Sequence, residues 1–272
     1  MNKVLLLDGY NLIYRGLSGF TRGEYYVIYN FFRGLRPLVE KYNPDIVYFV
    51  LEGDPKHRKT LSEGNYKSNR KSKGENFHLQ KASIIQAVKE FLPFITIRHP
   101  DFECDDVIAT MVMKHAAAGD ECYIISSDSD FIQLHNICNV TLYNPIKKIE
   151  IDKPDYDYVT WKALRGDPTD NIPGIPKVGD KTATKLVNNP ELLKEFLSDK
   201  TKRETFDKNV NLIRLVDLRN SEDEMEVTES KLDEQGLQDY FGRLEFDSMI
   251  KEKTWKKYIH TFKEIMNESS AT

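Results

Sequence analysis

The 272-residue chain is 40% hydrophobic and 30% charged with a formal net charge of −4, enough apolar content to bury one large or two small domains. The apolar run at residues 4–7 is too short for a signal peptide and no run approaches a membrane span, so we predict a cytoplasmic protein. The cysteines, Cys104, Cys122 and Cys138, are odd in number and lack C-x-x-C spacing, which favours buried free thiols over disulfides or zinc ligands.

Four short apolar segments rich in β-branched residues predict buried strands, at residues 3–7, 46–51, 95–98 and 122–126. Helical patterns lie between them, at residues 27–42, 79–92 and 105–118, and Gly119 is a natural stop for the last. This alternation predicts an α/β fold with a mostly parallel, twisted sheet flanked by helices. In such sheets, ligands bind at the carboxyl ends of the strands.

The pattern changes after about Tyr156, where we predict no further strand. Helical patterns follow at residues 181–188, 191–197, 204–218 and 255–266. We therefore predict an α/β domain at residues 1–155 and a helical domain at residues 156–272. The acidic stretch at residues 220–229 is predicted to be solvated surface.

Acidic residues follow every predicted strand. They are Asp8 after the first, Glu52 after the second, Glu103, Asp105 and Asp106 after the third, and Asp128 and Asp130 after the fourth. A single acid in such a place more often caps a helix or a turn, but agreement among four strands indicates a shared site. Crowded carboxylates need compensating cations, and oxygen ligands without His or Cys favour Mg²⁺ or Mn²⁺.

A second acidic pair lies in the stretch RGDPTDNIPGIPKVGDKTATK at residues 165–185, where Asp167 and Asp170 are spaced i, i+3. Alone, this stretch would be a Pro- and Gly-rich loop with Asx turns. However, Gly174 and Gly179 bracket a tight turn before a helix that begins near residue 180. Free backbone amides at a helix start, beside lysines, favour a phosphate-binding site.

The segment between residues 56 and 73 is strongly basic despite the acidic average. It contains one acid, Glu63, and seven basic residues: Lys56, Arg58, Lys59, Lys67, Arg70, Lys71 and Lys73. Clustered lysines and arginines favour a polyanionic partner.

Several spaced motifs resemble the structure-specific 5′ nucleases, which include flap endonucleases, the 5′–3′ exonuclease domain of bacterial DNA polymerase I and stand-alone bacteriophage exonucleases. The motifs are LLLDGYNLIYR at 5–15, YKSNR at 66–70, ECDDVIATM at 103–111, SSDSDF at 126–131 and GDPTDNIPGIPKVGDKTA at 166–183. The resemblance implies a PIN-like sheet, an arch over the active site at about residues 56–95, and a helix-hairpin-helix-type DNA-binding motif at about residues 165–190.

The resemblance also implies roles for individual residues. The metal-binding positions would be Asp8, Glu52, Glu103, Asp105, Asp106, Asp128, Asp130, Asp167 and Asp170, holding two Mg²⁺ ions that Mn²⁺ can replace. Lys67 and Arg70 would be catalytic, Lys67 by offsetting charge at the scissile phosphate. The DNA-binding candidates are Tyr10, Arg15, Tyr66, Lys71, Gly174, Lys177, Gly179, Lys181, Thr182 and Lys185. For Tyr66, packing at a helix start is an equal alternative.

Two positions depart from the family pattern. Glu52 stands where the family usually has Asp, and its longer side chain would reach a metal through a water molecule. Lys177 stands where the hairpin commonly has Gly, which would weaken K⁺ coordination there more than DNA binding.

The implied function is a metal-dependent 5′–3′ exonuclease and flap endonuclease acting as a monomer on DNA at junctions of duplex and single strand, with RNA of RNA–DNA hybrids as an open extension. A non-catalytic junction-binding protein of the same fold is the alternative, favoured only by Glu52. A phosphatase of the haloacid dehalogenase type would need a second Asp where Tyr10 stands. A ribonuclease of the PIN class lacks the basic arch and the hairpin.

Overall fold

A computed structural model describes residues 1–265, and its centre is a mixed, mostly parallel seven-stranded sheet. The strands are β1 (Lys3–Asp8), β2 (Ile46–Val50), β3 (Ile95–Arg98), β4 (Glu121–Ile125), β5 (Val140–Asn144), β6 (Ile149–Glu150) and β7 (Glu226–Glu229). Their order across the sheet is β6-β5-β4-β1-β2-β3-β7. The five inner strands run parallel, and the two edge strands β6 and β7 are antiparallel to their neighbours.

Helices cover both faces of the sheet, because the inner strands place apolar side chains on both faces and these must be buried. The helices are α1 (Gly9–Arg15), α2 (Tyr26–Tyr42), α3 (Lys56–Leu61), α4 (Glu75–Phe91), α5 (Cys104–Ala117), α6 (Tyr158–Arg165), α7 (Asp180–Val187), α8 (Pro190–Phe196), α9 (Lys200–Ile213), α10 (Glu234–Arg243), α11 (Asp247–Ile250) and α12 (Glu252–His260). In β1, Leu5 and Leu7 face a core shared with α2, α4 and α10, whereas Val4 and Leu6 face one shared with α5.

The predicted α/β class is confirmed, and the four predicted strands match β1 to β4 within two residues at each end. The expectation that no strand follows Tyr156 is wrong. Residues 226–229 form β7, which pairs with β3 and is tied to it by an ion pair between Arg98 and Glu226 at 2.7 Å. The strand was missed because all four of its side chains are exposed, so it carries no apolar signal.

The helices after residue 156 divide between two places. Helices α6, α7 and α8 pack around a separate apolar cluster that includes Leu164, Ile175 and Leu186. Helices α10 to α12 instead return to the first core, where Phe241 and Tyr258 are buried with residues of β1 and α2. The domain boundary near residue 155 stays a prediction. The predicted helix at residues 255–266 corresponds to α12. Residue 266, the last of the predicted range, lies outside the described residues.

Within residues 1–265, no helix combines the length and the apolar character needed to cross a membrane. Cys104 and Cys122 are buried free thiols as expected, whereas Cys138 is free but exposed.

Candidate active site

The carboxyl ends of four parallel strands meet at one cavity of about 930 Å³. Seven carboxylates line it: Asp8, Glu52, Glu103, Asp105, Asp128, Asp167 and Asp170. The first five follow β1, β2, β3 and β4, as the parallel topology requires. The last two come from the loop after α6, which reaches back to the end of the sheet.

Asp8 occupies the N-terminal cap of α1 and the cavity at once. Its Oδ1 accepts the backbone N–H of Asn11 at 3.0 Å, and its Oδ2 accepts the Ser126 hydroxyl at 2.7 Å. The capping role that is common for such an Asp is therefore real here, and it fixes the carboxylate at the cavity wall. Burial raises the pKa of Asp8.

Glu52 reaches the cavity across the start of α5. Its Oε2 accepts the backbone N–H of Cys104 at 3.1 Å, so the longer side chain is held at the positive end of that helix. Burial raises the pKa of Glu52 to about 7, although the charge of Lys67 opposes this shift. Although Glu52 replaces the usual Asp, its carboxylate still lies in the cavity, where the backbone N–H of Cys104 holds it.

Two groups of side chains bring three ligand atoms within 4.8 Å of one another, in the described part of the chain. One group is Asp8, Cys104 and Asp105, and the other is Asp130, Asp167 and Asp170. Burial raises the pKa of Asp105 well above its usual value and that of Asp130 to about 6. Buried carboxylates held this close disfavour each other's ionisation. The second group offers only oxygen atoms, which fits a hard divalent cation. In the first group, burial raises the pKa of the Cys104 thiol well above its usual value, so the two carboxylates are its charged donors.

Lys162 is a site residue that the sequence did not reveal. From α6, its ammonium contacts Asp130 and lies 2.6 Å from Asp167 Oδ2, and the side chain is almost fully buried. Burial alone lowers the pKa of Lys162, but these two acids raise it overall. A single Lys within a helical pattern gave no signal, because its partner Asp130 lies 32 residues earlier in the chain.

The basic loop at residues 62–74, between α3 and α4, lines the same cavity. The Lys67 ammonium pairs with Glu103 and lies 3.7 Å from Asp170 Oδ2. Its backbone is left-handed with φ of 54°, held by a 3.0 Å hydrogen bond from its N–H to the Asp170 carbonyl. Arg70 donates to Asp170 Oδ1 at 2.6 Å. The two predicted catalytic cations therefore lie among the carboxylates.

The structure does not bring Asp106 into the cavity. The residue is fully buried, and both its oxygens bind the Arg58 guanidinium at 2.5 and 2.7 Å. Arg58 also contacts Glu103 Oε2 at 3.1 Å. The i, i+3 spacing correctly predicted that Glu103 and Asp106 lie on one side at the start of α5. That side contacts Arg58, so Asp106 does not line the metal basin as predicted.

Tyr66 is not exposed for stacking on a nucleotide. Its ring is buried, and its hydroxyl donates to Glu103 Oε2 at 2.8 Å and also lies 3.1 Å from Asp170 Oδ2. The packing alternative therefore describes this residue, which ties the loop to two acids of the site.

Among the other DNA-binding candidates, Tyr10 and Lys71 line the cavity. Arg15, at the far end of α1, does not, and instead lines a separate groove of about 660 Å³ with Arg33 and Lys148. Burial lowers the pKa of Arg15. The structure thus separates this arginine from the carboxylates.

The predicted hairpin is formed by α6, the loop at residues 166–179 and α7. A Cβ atom on Gly174 would lie 1.9 Å from the Arg165 carbonyl oxygen, so only glycine fits at this crossing. Lys177 adopts a left-handed φ of 67°, the conformation that favours the Gly of the family pattern. Gly179, Lys181, Thr182 and Lys185 are exposed along the turn and α7, apart from the cavity.

The site thus gathers buried carboxylates and ammonium groups from a mostly parallel sheet, a basic loop and a helical hairpin. The family model described as "5′-3′ exonuclease, N-terminal resolvase-like domain" matches residues 3–162, and that described as "5′-3′ exonuclease, C-terminal SAM fold" matches residues 153–230. The chain belongs to this 5′–3′ exonuclease family.

Individual relatives agree with this assignment. A thermostable DNA polymerase I of Thermus thermophilus is 31% identical over 92% of this chain and 33% of its own length. A 5′–3′ exonuclease of Aquifex aeolicus is 28% identical over 93% of this chain and 95% of its own length. The chain thus spans between a fifth and a third of the length of the DNA polymerase I relatives that it matches. The fold is similar to that of the bacteriophage T5 flap endonuclease in complex with DNA and metal ions, with a TM-score of 0.65, 16% identity and coverage of 96% and 97% of the two chains.

Proposed function

We propose that the chain is a metal-dependent 5′–3′ exonuclease and flap endonuclease that hydrolyses DNA phosphodiester bonds at junctions of duplex and single strand. The observation that carries this proposal is the convergence of seven carboxylates, Lys67 and Arg70 in one cavity beside the hairpin. Family membership and the T5 flap endonuclease fold support it. RNA of RNA–DNA hybrids is a further substrate to be tested.

The carboxylates would hold two divalent ions, which when bound supply an activated water and stabilise the leaving oxygen. The Asp8 and Asp105 group would hold one ion and the Asp130, Asp167 and Asp170 group the other. The oxygen donors favour Mg²⁺, with Mn²⁺ as a substitute. Lys162 positions Asp130 and Asp167 through its two ion pairs.

Lys67 and Arg70 would act on the phosphate itself. In the structure these two cations pair with Glu103 and Asp170. Once other cations neutralise those acids, Lys67 and Arg70 would be free to pair with an anionic phosphate. An ammonium placed beside a non-bridging phosphate oxygen offsets the charge that develops in the transition state. The left-handed backbone at Lys67 is a local strain of the kind found at functional sites.

The hairpin would grip duplex DNA through phosphates rather than bases. Gly179 has open space where a Cβ would stand, so a phosphate can approach the backbone at the start of α7. Lys181 and Lys185 flank that approach with exposed positive charge. We propose a K⁺ ion at this turn, and the left-handed Lys177 retains the backbone shape that a glycine would give. Affinity for duplex that falls when K⁺ is replaced by Na⁺ would support the ion.

The test is cleavage of a 5′-flap duplex labelled at its 5′ end, in Mg²⁺, in Mn²⁺ and in EDTA. We expect hydrolysis near the junction in both metals and none in EDTA, with an Asp128→Asn variant much slower but equally stable. A folded wild-type protein that binds the flap without cutting it would establish the non-catalytic alternative. Release of phosphate from a small phosphomonoester would instead indicate a phosphatase.

A further inference from the structure

An aromatic wall formed by Tyr156, Tyr158 and Trp161 lines the same cavity as the carboxylates. The Trp161 ring stacks on Tyr158 at 6.0 Å and 28°, and it lies 5.7 Å from the ring of Tyr156. The guanidinium of Arg165 lies 5.2 Å from the Trp161 ring. None of these residues is needed to explain the phosphodiester chemistry described above.

The wall is fixed at both ends by hydrogen bonds from its polar tips. The Tyr158 hydroxyl donates to Ser129 Oγ at 2.8 Å, and Trp161 Nε1 donates to Thr184 Oγ1 at 3.1 Å. The first bond ties the wall to the residue between Asp128 and Asp130, and the second ties it to the hairpin helix α7. The two bonds hold the rings of Tyr158 and Trp161 in place, and Tyr156 and Trp161 remain partly exposed.

The position of the wall points to a nucleobase as its occupant. Lys162, the residue after Trp161, contacts Asp130 and Asp167 directly. The rings, Lys162 and Asp167 line one cavity, so a nucleotide whose phosphate lies at the carboxylates can place its base against the wall. Aromatic faces bind any base, and a nearby arginine adds a cation for the same contact.

We propose that the aromatic wall is a stacking platform for one unpaired base of the cleaved strand, next to the scissile phosphate, with Trp161 as its main positioning residue. A paired base in a duplex has both faces covered by its neighbours, so the platform selects a nucleotide that has left the stack. This inference deepens the proposed nuclease function and rests on it. It assigns to α6 a specificity role for single-stranded character at the junction.

The kinetic test compares an intact 5′-flap substrate with substrates that carry an abasic nucleotide on one or the other side of the scissile phosphate. We expect Trp161→Ala to slow single-turnover cleavage of the intact substrate about tenfold and to have less than a twofold effect on one abasic substrate. Trp161→Phe, which keeps an aromatic face and most of the packing, should restore most of the rate. Equal losses on intact and abasic substrates, or an equal loss for Trp161→Phe, would show a purely structural role.

A binding test works without cleavage, because the chain has two tryptophans and Trp255 is buried in the first core. In a Trp255→Phe variant, fluorescence reports Trp161 alone. With Ca²⁺ in place of Mg²⁺, a duplex with a 5′ overhang should quench this signal, and the matching abasic duplex should not. Binding that is visible by anisotropy but leaves the fluorescence unchanged would overturn the platform, whereas quenching without any cleavage in Mg²⁺ would support it and count against the nuclease.

Discussion

Removing Arg58 from its buried ion pair with Asp106 should cost more stability than breaking the exposed pair between Lys59 and Asp54. The side chains of Arg58 and Asp106 are 3% and 0% exposed. Burial by itself lowers the pKa of Arg58, but its bonds to Asp106 raise it overall, so the arginine stays charged. Arg58→Met would leave a buried, unpaired carboxylate, which costs roughly 3–5 kcal/mol. Because a folded domain is stable by only about 5–15 kcal/mol, this loss is large.

Urea unfolding followed by circular dichroism would measure this cost at constant m-value. The matched control is Lys59→Met, whose ion pair with Asp54 is about half exposed and should contribute less than about 1 kcal/mol. The double variant Arg58→Met/Asp106→Leu should recover at least half of the loss, because no charge is left unpaired. It should also bind Mn²⁺ as Arg58→Met does, since both variants lose the contact between Arg58 and Glu103 and Asp106 lies outside the cavity.

Two outcomes would refute this reasoning. One is a cost for Arg58→Met no greater than that for Lys59→Met, which would mean that the buried carboxylate finds water or another partner. The other is Mn²⁺ binding by the folded double variant that is weaker than binding by Arg58→Met, which would return Asp106 to the ligand set.

Three further predictions concern the site. Lys67→Ala should lower turnover at least a hundredfold and DNA affinity only slightly. Lys71→Ala should instead weaken DNA binding and reduce its salt dependence. Equal losses of turnover and affinity for Lys67→Ala would show that Lys67 only attracts the DNA backbone. In the metal-free fold the pKa of Glu52 is about 7, above its unfolded value of 4.5. Between these two pH values the folded state binds more protons than the unfolded state. The free energy of unfolding should therefore fall by up to about 3 kcal/mol as the pH rises through that window. Glu52→Gln should flatten that pH dependence in unfolding titrations without divalent ions, and an unchanged slope would contradict the assignment. Gly174→Ala should lower both stability and duplex affinity because its Cβ would meet a backbone carbonyl, while Gly179→Ala, with open space, should leave stability within about 0.5 kcal/mol in the same titration.

Four of the seven strands, β1 to β4, and most of the acidic site could be predicted from the sequence because their signals are local. An apolar run followed by an acid predicts both a strand and the position of its carboxyl end, and Asp8 and Asp128 were predicted in that way. Arg58 and Lys162 could not be found so, because their partners lie 48 and 32 residues away and no local pattern marks a buried cation. Helical spacing gave the right face for Asp106 but not the neighbour that this face meets.

The loop at residues 167–171 joins two parts of the molecule that are far apart in sequence. Its Asp170 carbonyl accepts the N–H of Lys67, and Asn171 donates to the carbonyl of Asn65 at 2.8 Å, while the same loop is part of the hairpin. A displacement of the hairpin would therefore also move the basic loop that carries Lys67. If the hairpin binds duplex DNA as proposed, that binding would at the same time adjust the position of the Lys67 ammonium.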